Sequence, residues 1–225
     1  MKRKYKLMII ILISGILTYL IYIFNKEEKI KLVAIGDGIA SGETSYNIDG
    51  ISYNDYLKEY FEDSNQLKHY SSDYSIKNYK IDELIQDIKA NTTRSNKLNI
   101  NQLLNKANII TISIGEEELV KLSITKDLKE ETIINFINKY DVLLSIIGKE
   151  SDASIFIIGF YENKYLSKSD VIILNSELSN IALKYKVNFI NIMDIMLDSN
   201  YLDKNEYYFN YKGHKVIADM ILNSL

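Results

Sequence analysis

Short apolar runs alternate with longer amphipathic stretches along residues 30–225. The runs have the length of strands, and the continuous hydrophobicity of the third and fourth is typical of strands buried on both faces. This alternation predicts an α/β domain with a parallel sheet. The five predicted strands are Ile30–Ile35, a weaker run at Tyr74–Ile76, Ile109–Ile114, Ala153–Gly159 and Val187–Ile192.

Between these runs, apolar side chains recur at helical spacing. In one stretch, Ile81, Leu84, Ile85 and Ile88 fall on a single helical face. The polar stretch Asn91–Asn101 is instead predicted to be a surface loop. The predicted helices are Tyr53–Phe61, Ile81–Ile88, Thr132–Ile147, Asp170–Tyr185 and Lys212–Leu225.

The N-terminal part of the chain has a different pattern, because Leu7 to Phe24 is apolar and carries no charged residue. A helix of that length spans roughly 27 Å, close to the thickness of a bilayer core. Basic residues precede it, so the positive-inside rule predicts a cytoplasmic N-terminus. We therefore predict a tail and membrane anchor over residues 1–29, and an extracytoplasmic domain over residues 30–225 at the cell membrane. A cleaved signal peptide is the alternative, but the sequence after the apolar core lacks a small-x-small site.

Charge and composition exclude several classes of function. Residues 1–29 carry six basic and two acidic side chains, a net of +4, so with −3 overall the remaining chain carries −7. An acidic domain excludes nucleic acid as the expected partner. The absence of cysteine excludes disulfides, zinc–thiolate sites and thiol nucleophiles.

The first predicted strand ends in a glycine-rich turn, Gly36–Gly42. The turn misses the dinucleotide-binding pattern G-x-G-x-x-G by one residue before the last glycine, and helical periodicity resumes only near Tyr53. No cofactor is therefore predicted.

Four segments resemble, in order, the sequence blocks of the SGNH/GDSL hydrolases. They are KLVAIGDGIASG from Lys31, YSIKNYKIDELI from Tyr74, IITISIGEEEL from Ile109 and NEYYFNYKGHKVIA from Asn205. The resemblance covers residues 30–225. It implies a three-layer αβα, flavodoxin-like fold with a five-stranded parallel sheet, and a relation to enzymes that hydrolyse esters through a serine.

The resemblance also implies which residues stand at the catalytic positions of that family. Gly38 stands at the position of the serine nucleophile, and Asn78 and Glu117 stand at the oxyanion-hole positions. Asn205 and Tyr208 stand at the positions of the aspartate and the histidine. The implied pocket further includes Asp37, Gly115, Glu116 and Asn210.

These replacements remove the components of serine hydrolysis. Gly38 has no side chain to attack with, and a tyrosine with an ordinary pKa near ~10 is a poor proton acceptor. Asn205 carries no charge to hold an imidazolium, and an ionised Glu117 would repel an oxyanion. No intact catalytic site is therefore expected.

Three hypotheses remain open. The first is a membrane-anchored domain that has lost hydrolysis and binds a cell-envelope ligand or protein partner. The second is an active esterase on lipid or cell-wall carbohydrate esters, in which Ser41 and His214 replace the missing catalytic residues. Alternatively, Ser41 is only a turn residue and His214 is only a surface histidine. The third is a metal- or carbohydrate-binding site built from Asp37, Glu116, Glu117 and Glu206, although acidic residues at 116–118 also favour the start of a helix.

Overall fold

The computed structural model describes Met8 and residues 12–18, 29–46, 48–95, 98–125, 128–204 and 207–225; the side chains of Thr125 and Met196 are not part of the description. Within these residues one parallel sheet has the order β2-β1-β3-β4-β5. Its strands are β1 (Ile30–Gly36), β2 (Leu67–Ser75), β3 (Ile109–Ser113), β4 (Ser154–Ile158) and β5 (Asn188–Ile190).

Helices connect the strands and cover both faces of the sheet. They are α1 (Gly38–Ser41), α2 (Tyr53–Asp63), α3 (Ile81–Ala90), α4 (Ile100–Lys106), α5 (Glu116–Thr125), α6 (Glu130–Glu150), α7 (Lys168–Tyr185) and α8 (Tyr211–Leu222). Two 3-10 turns, Met193–Leu197 and Ser199–Tyr201, precede α8.

Alternate side chains of the strands enter two separate cores, because neighbouring residues of a strand point to opposite faces. In β1, Val33 and Ile35 pack in the core formed with α3 to α7, whereas Leu32 packs in the core formed with α2 and α8. In β4, Ile157 and Phe156 divide in the same way. The three-layer α/β architecture with a five-stranded parallel sheet is therefore as predicted.

The strand order indicates where on the sheet a ligand-binding site lies. β1 and β3 are neighbours in register, with Leu32 beside Ile109 and Gly36 beside Ser113. The chain leaves β1 towards β2 on one side and later returns through β3 on the other. The crevice at such a reversal, beyond the carboxyl ends of the strands, is where open α/β sheets bind ligands.

Two predicted boundaries were wrong. β2 begins at Leu67 rather than near Tyr74, so the strand also contains His69. As an edge strand, β2 has one neighbour and keeps polar residues, which hides it from a search for apolar runs. The predicted loop Asn91–Asn101 ends earlier, because the Asn99 side chain accepts a hydrogen bond from the backbone N–H of Gln102 (2.8 Å) and caps α4.

The predicted membrane segment, Leu7 to Phe24, lies for the most part outside the described residues. Of this segment, Met8 and residues 12–18 are described, and they are helical. In the described part of the chain, no helix combines the length and apolarity needed to cross a membrane.

Asn175 provides a test of the packing of α7 against the sheet. Its buried amide accepts from the backbone N–H of Phe160 (2.7 Å) and donates to the Phe160 carbonyl (2.9 Å), just beyond β4. We expect Asn175→Ala to lower the free energy of unfolding by about 2–3 kcal/mol, because both backbone groups lose a buried partner. Asn180→Ala, an exposed change on the same helix, is expected to stay within about 0.5 kcal/mol. Urea unfolding of the two variants measures the difference, and equal effects would contradict the assignment.

Candidate functional site

The site begins where β1 and β3 end side by side. Gly36 has a φ of +153°, and a Cβ there would lie 1.8 Å from the carbonyl oxygen of Ser113. Only glycine permits this approach. Gly115 has a φ of +98°, and a Cβ there would meet the ring of Phe136 at 2.6 Å. These glycines bring the two turns that follow the strands into contact.

Asp37 joins these two turns. Its backbone N–H donates to the Ser113 carbonyl, and its Oδ2 accepts from the backbone N–H of Gly115, both at 2.8 Å. The side chain is fully buried, and among the described residues no donor reaches Oδ1. Burial raises the pKa of Asp37 to about 7, against the lowering effect of the Gly115 N–H. Asp37 is therefore only partly ionised at neutral pH.

Gly38, which the family resemblance places at the nucleophile position, is crowded by two carboxyl groups in this structure. A Cβ built on it would lie 2.6 Å from Glu117 Oε1 and 2.6 Å from Glu43 Oε2. Real Cβ atoms do not approach oxygens so closely. Two carboxyl groups thus occupy the space where a serine side chain would stand.

Glu43 is the central residue that the sequence analysis did not identify. It is buried, forms an ion pair with Lys77, and accepts a hydrogen bond from the Tyr208 hydroxyl at 3.2 Å. Its backbone N–H donates to the Gly38 carbonyl (2.8 Å), so the loop after α1 folds back over the nucleophile position. The only sequence signal for this role is its place five residues after Gly38.

Glu117, which the family resemblance places at an oxyanion-hole position, lies against Glu43. Burial raises the pKa of Glu117 to about 8, with further contributions from the charge of Asp37 and from the neighbouring Glu43 carboxyl. In the described part of the chain, neither of its carboxyl oxygens meets a donor. The protonated form of Glu117 is therefore favoured at neutral pH, with the Glu43 carboxyl as its neighbour.

Glu116 is buried beside Glu43 and Glu117, but its carboxyl binds other side chains. Its carboxyl accepts from the Tyr207 hydroxyl and from the Asn163 amide, both at 3.0 Å. Burial and the charge of Asp37 raise its pKa well above the ordinary value.

The predicted acidic cluster therefore forms in part. Asp37, Glu116 and Glu117 come together, whereas Glu206 lies outside the described residues. No group of three or more His, Asp or Glu side chains among those described is arranged to hold a metal ion. Because Glu116 is engaged by Tyr207 and Asn163, the carboxylates do not point at a common centre.

Three other positions implied by the family resemblance are placed as follows. Asn78 is exposed with a φ of +59°, a left-handed turn conformation that asparagine tolerates. The Asn210 side chain caps α8, accepting from the backbone N–H groups of Lys212 (2.8 Å) and Gly213 (3.2 Å). Asn205 lies outside the described residues.

The two substitute residues do not meet in the cleft. The Ser41 hydroxyl donates to the Gly38 carbonyl at 3.1 Å, closing the short helix α1. His214 is buried and not at the surface, stacked on Tyr53 with ring centres 6.5 Å apart and edge-on to Phe209 at 5.7 Å. Burial lowers the pKa of His214 to about 4, so the imidazole is neutral. It lies in the core between α2 and α8, because the face of α8 that carries it packs on the sheet side.

A cleft of about 480 Å³ opens beside Glu43 and Glu117 at the carboxyl edge of the sheet, and the implied pocket residues Asp37, Gly115, Glu116 and Asn210 are not among those that line it. Its floor contains Glu43 and Glu117, and Tyr208 reaches in from the loop before α8. The lining residues are Glu43, Thr44, Ser45, Lys77, Asn78, Glu117, Val120, Lys121, Ile124, Lys164, Tyr165, Tyr207 and Tyr208.

No protein-family description and no curated protein matches this sequence. Solved structures do match over nearly the whole chain. A catalytic mutant of an acetylxylan esterase from Geobacillus stearothermophilus is 15% identical with a TM-score of 0.66, covering 87% of this chain and 94% of its own. A protein described as a GDSL-like lipase from Parabacteroides merdae is 13% identical with a TM-score of 0.65, covering 88% and 96%. A psychrotrophic esterase from Pseudoalteromonas sp. is 14% identical with a TM-score of 0.60, covering 87% and 96%.

These likenesses establish the fold. The chain has the three-layer fold of the SGNH/GDSL hydrolases, and the predicted resemblance is confirmed at the level of the fold.

The crowding at Gly38 can be tested by substitution. We expect Gly38→Ser to lower the free energy of unfolding by about 1–3 kcal/mol, because the new Cβ displaces the carboxyls of Glu43 and Glu117. Gly148→Ser is the matched control, since a Cβ at Gly148 meets nothing within 4 Å. Chemical unfolding of both variants measures the effect. A Gly38→Ser protein as stable as the control would show that the nucleophile position is open.

The buried carboxyls predict a stability that falls as the pH rises from about 5 to about 8. Asp37 and Glu117 hold protons in the folded state that they release on unfolding, where their pKa values return to ~4. The folded state thus binds more protons in this window, and the free energy of unfolding decreases with pH.

Glu117→Gln removes one titrating group and keeps the shape of the side chain. Its melting temperature should exceed that of the unaltered protein by about 2–5 °C near pH 9 and by little near pH 5. Glu59→Gln, on the exposed face of α2, should show no such dependence. A constant difference at both pH values would mean that Glu117 is ionised throughout.

Proposed function

We propose that this chain is a membrane-anchored, extracytoplasmic SGNH/GDSL hydrolase-like domain that has lost serine hydrolysis. In this proposal it acts as a binding or scaffolding module at the cell envelope. The observation that carries the proposal is the occupation of the nucleophile position: Gly38 offers no side chain, and the carboxyl oxygens of Glu43 and Glu117 lie where a serine would stand.

The position of the general base supports the same conclusion. Tyr208, at the family's histidine position, donates its hydroxyl proton to Glu43 instead of accepting one. Burial and the adjacent negative charge of Glu43 raise the pKa of Tyr208 above its ordinary value, so its hydroxyl stays protonated at neutral pH and offers no basic form to take a proton. The described histidines do not replace it, since His214 is in the core and His69 is on the edge strand β2.

The retained cleft supports a binding role. In place of a triad, the floor holds a connected set of polar side chains in which Glu43 contacts Lys77 and Tyr208. The cavity keeps a size within the range of small-molecule sites. An enzyme fold with its catalytic groups replaced and its cleft open keeps the means to bind a ligand without converting it.

The anchor rests on the sequence from Leu7 to Phe24 and on the basic residues before it. Only residues 25–29 separate this segment from β1, a tether of at most about 18 Å. The chain enters β1 at the amino edge of the sheet, whereas the cleft is at the carboxyl edge. The proposed arrangement therefore turns the cleft away from the membrane.

Labelling and turnover test the loss of hydrolysis. The full chain in detergent is expected to leave p-nitrophenyl acetate unhydrolysed above the buffer rate and to remain unlabelled by a fluorophosphonate probe, because Gly38 stands at the family's nucleophile position and neither described histidine lines the cleft. An active serine esterase of the same fold serves as the positive control. Labelling that disappears in Ser41→Ala would overturn the proposal and establish the active-esterase alternative.

A further inference from the structure

Positive charge is concentrated around the cleft. Lys77 follows β2, Lys121 lies on α5, and Lys164 follows β4, so these three lysines come from separate segments and meet only in the fold. The rest of the domain does not share this character, since residues 30–225 carry a net charge of −7.

The floor does not cancel this charge at neutral pH. The lining includes two acidic residues, Glu43 and Glu117. Glu43 is paired with Lys77, and the raised pKa of Glu117, about 8, leaves its carboxyl largely uncharged. The lining residues taken together are therefore positive, which favours an anionic ligand.

One wall of the cleft is aromatic. The rings of Tyr165 and Tyr207 pack edge to face with centres 5.7 Å apart, and those of Tyr207 and Tyr208 do so at 4.6 Å. The Lys164 ammonium lies over the Tyr165 ring, 4.9 Å from its centre, so this cation stacks on the aromatic wall. Tyrosines combine an apolar face with a polar hydroxyl, which suits the C–H face and the hydroxyls of a sugar ring.

The remaining lining completes a polar surface. Thr44, Ser45 and Asn78 carry hydroxyl and amide groups around the opening. At the floor, the buried oxygens of Glu117 meet no donor among the described residues. A ligand with several hydroxyl groups matches this lining better than an apolar acyl chain does.

We propose that the cleft binds a carbohydrate unit bearing an acidic group, either a carboxylate or a phosphate. The lysines hold the anion, and the tyrosine wall packs against the ring. This inference rests on the proposed function, in that it takes the cleft as a binding site without ester hydrolysis.

Three probes with the same ring separate charge from sugar recognition: D-glucose, D-glucuronate and D-glucose 6-phosphate. Isothermal titration calorimetry of the full chain in detergent measures their affinities at neutral pH. At least one acidic sugar is expected to bind about tenfold or more tighter than glucose, and to lose affinity as salt is added. The ratio of glucuronate to glucose 6-phosphate binding identifies the acidic group.

Lys164→Gln tests the lysines without touching the ion pair of the floor. The variant should lose most of the preference for the acidic sugar and keep its affinity for glucose. Lys149→Gln is the matched control, because Lys149 is an exposed lysine at the end of α6 that leads into β4, at the opposite edge of the sheet. Melting curves of both variants should coincide with that of the unaltered chain.

Equal affinity for glucose and both acidic sugars, or no heat with any of the three, would overturn the inference. So would an unchanged preference in Lys164→Gln. These outcomes are distinct from failure of the proposed function, which is signalled by ester hydrolysis or fluorophosphonate labelling and does not depend on sugar affinity.

Discussion

The hydrogen bonds of Asp37 between the ends of β1 and β3 are the constraint on which the site depends. Its backbone N–H and its Oδ2 bind the Ser113 carbonyl and the Gly115 N–H, and the two glycine turns allow the approach. Because these strands adjoin at the reversal of strand order, the bonds fix where α1 and α5 begin. The positions of Gly38 and Glu117 follow from these two helix starts.

Burial of carboxyl groups at this point has a thermodynamic consequence. Asp37, Glu116 and Glu117 lie close together with raised pKa values, so full ionisation of the group is disfavoured. Part of the free-energy cost of burying these carboxyl groups is offset by the hydrogen bond that Tyr207 donates to Glu116 and by the ion pair of Lys77 with Glu43. The stability of this site therefore depends on the protonation of its carboxyl groups as well as on side-chain contacts. The site differs in principle from a serine triad, where an ionised aspartate and a mobile imidazole proton are required.

The residues that shape the backbone follow the family resemblance more closely than the residues at the implied catalytic positions do. Residues that shape the backbone remain suited to the fold: Gly115 with its positive φ, Asn78 in a left-handed turn and Asn210 as the cap of α8. The positions that would carry chemistry hold Gly38 and Tyr208 instead. Backbone geometry depends on local conformational preferences, whereas serine hydrolysis needs several side chains at once, so the proposed loss of hydrolysis is compatible with the retained fold.

The sequence alone determined the layer architecture. Buried strands and amphipathic helices each have a characteristic pattern of apolar residues, which is visible in Ile109–Ile114 and in Ile81–Ile88. The local motif after the first strand also predicted that Gly38 stands at the family's nucleophile position. Tertiary structure decided what surrounds it: Glu43 and Lys77 converge on the floor, and His214 turns into the core. Those placements depend on loop paths and on the packing of α8 against α2, which no local pattern encodes. The protonation of Glu117 likewise arises from burial and neighbouring charges, which exist only once the chain has folded.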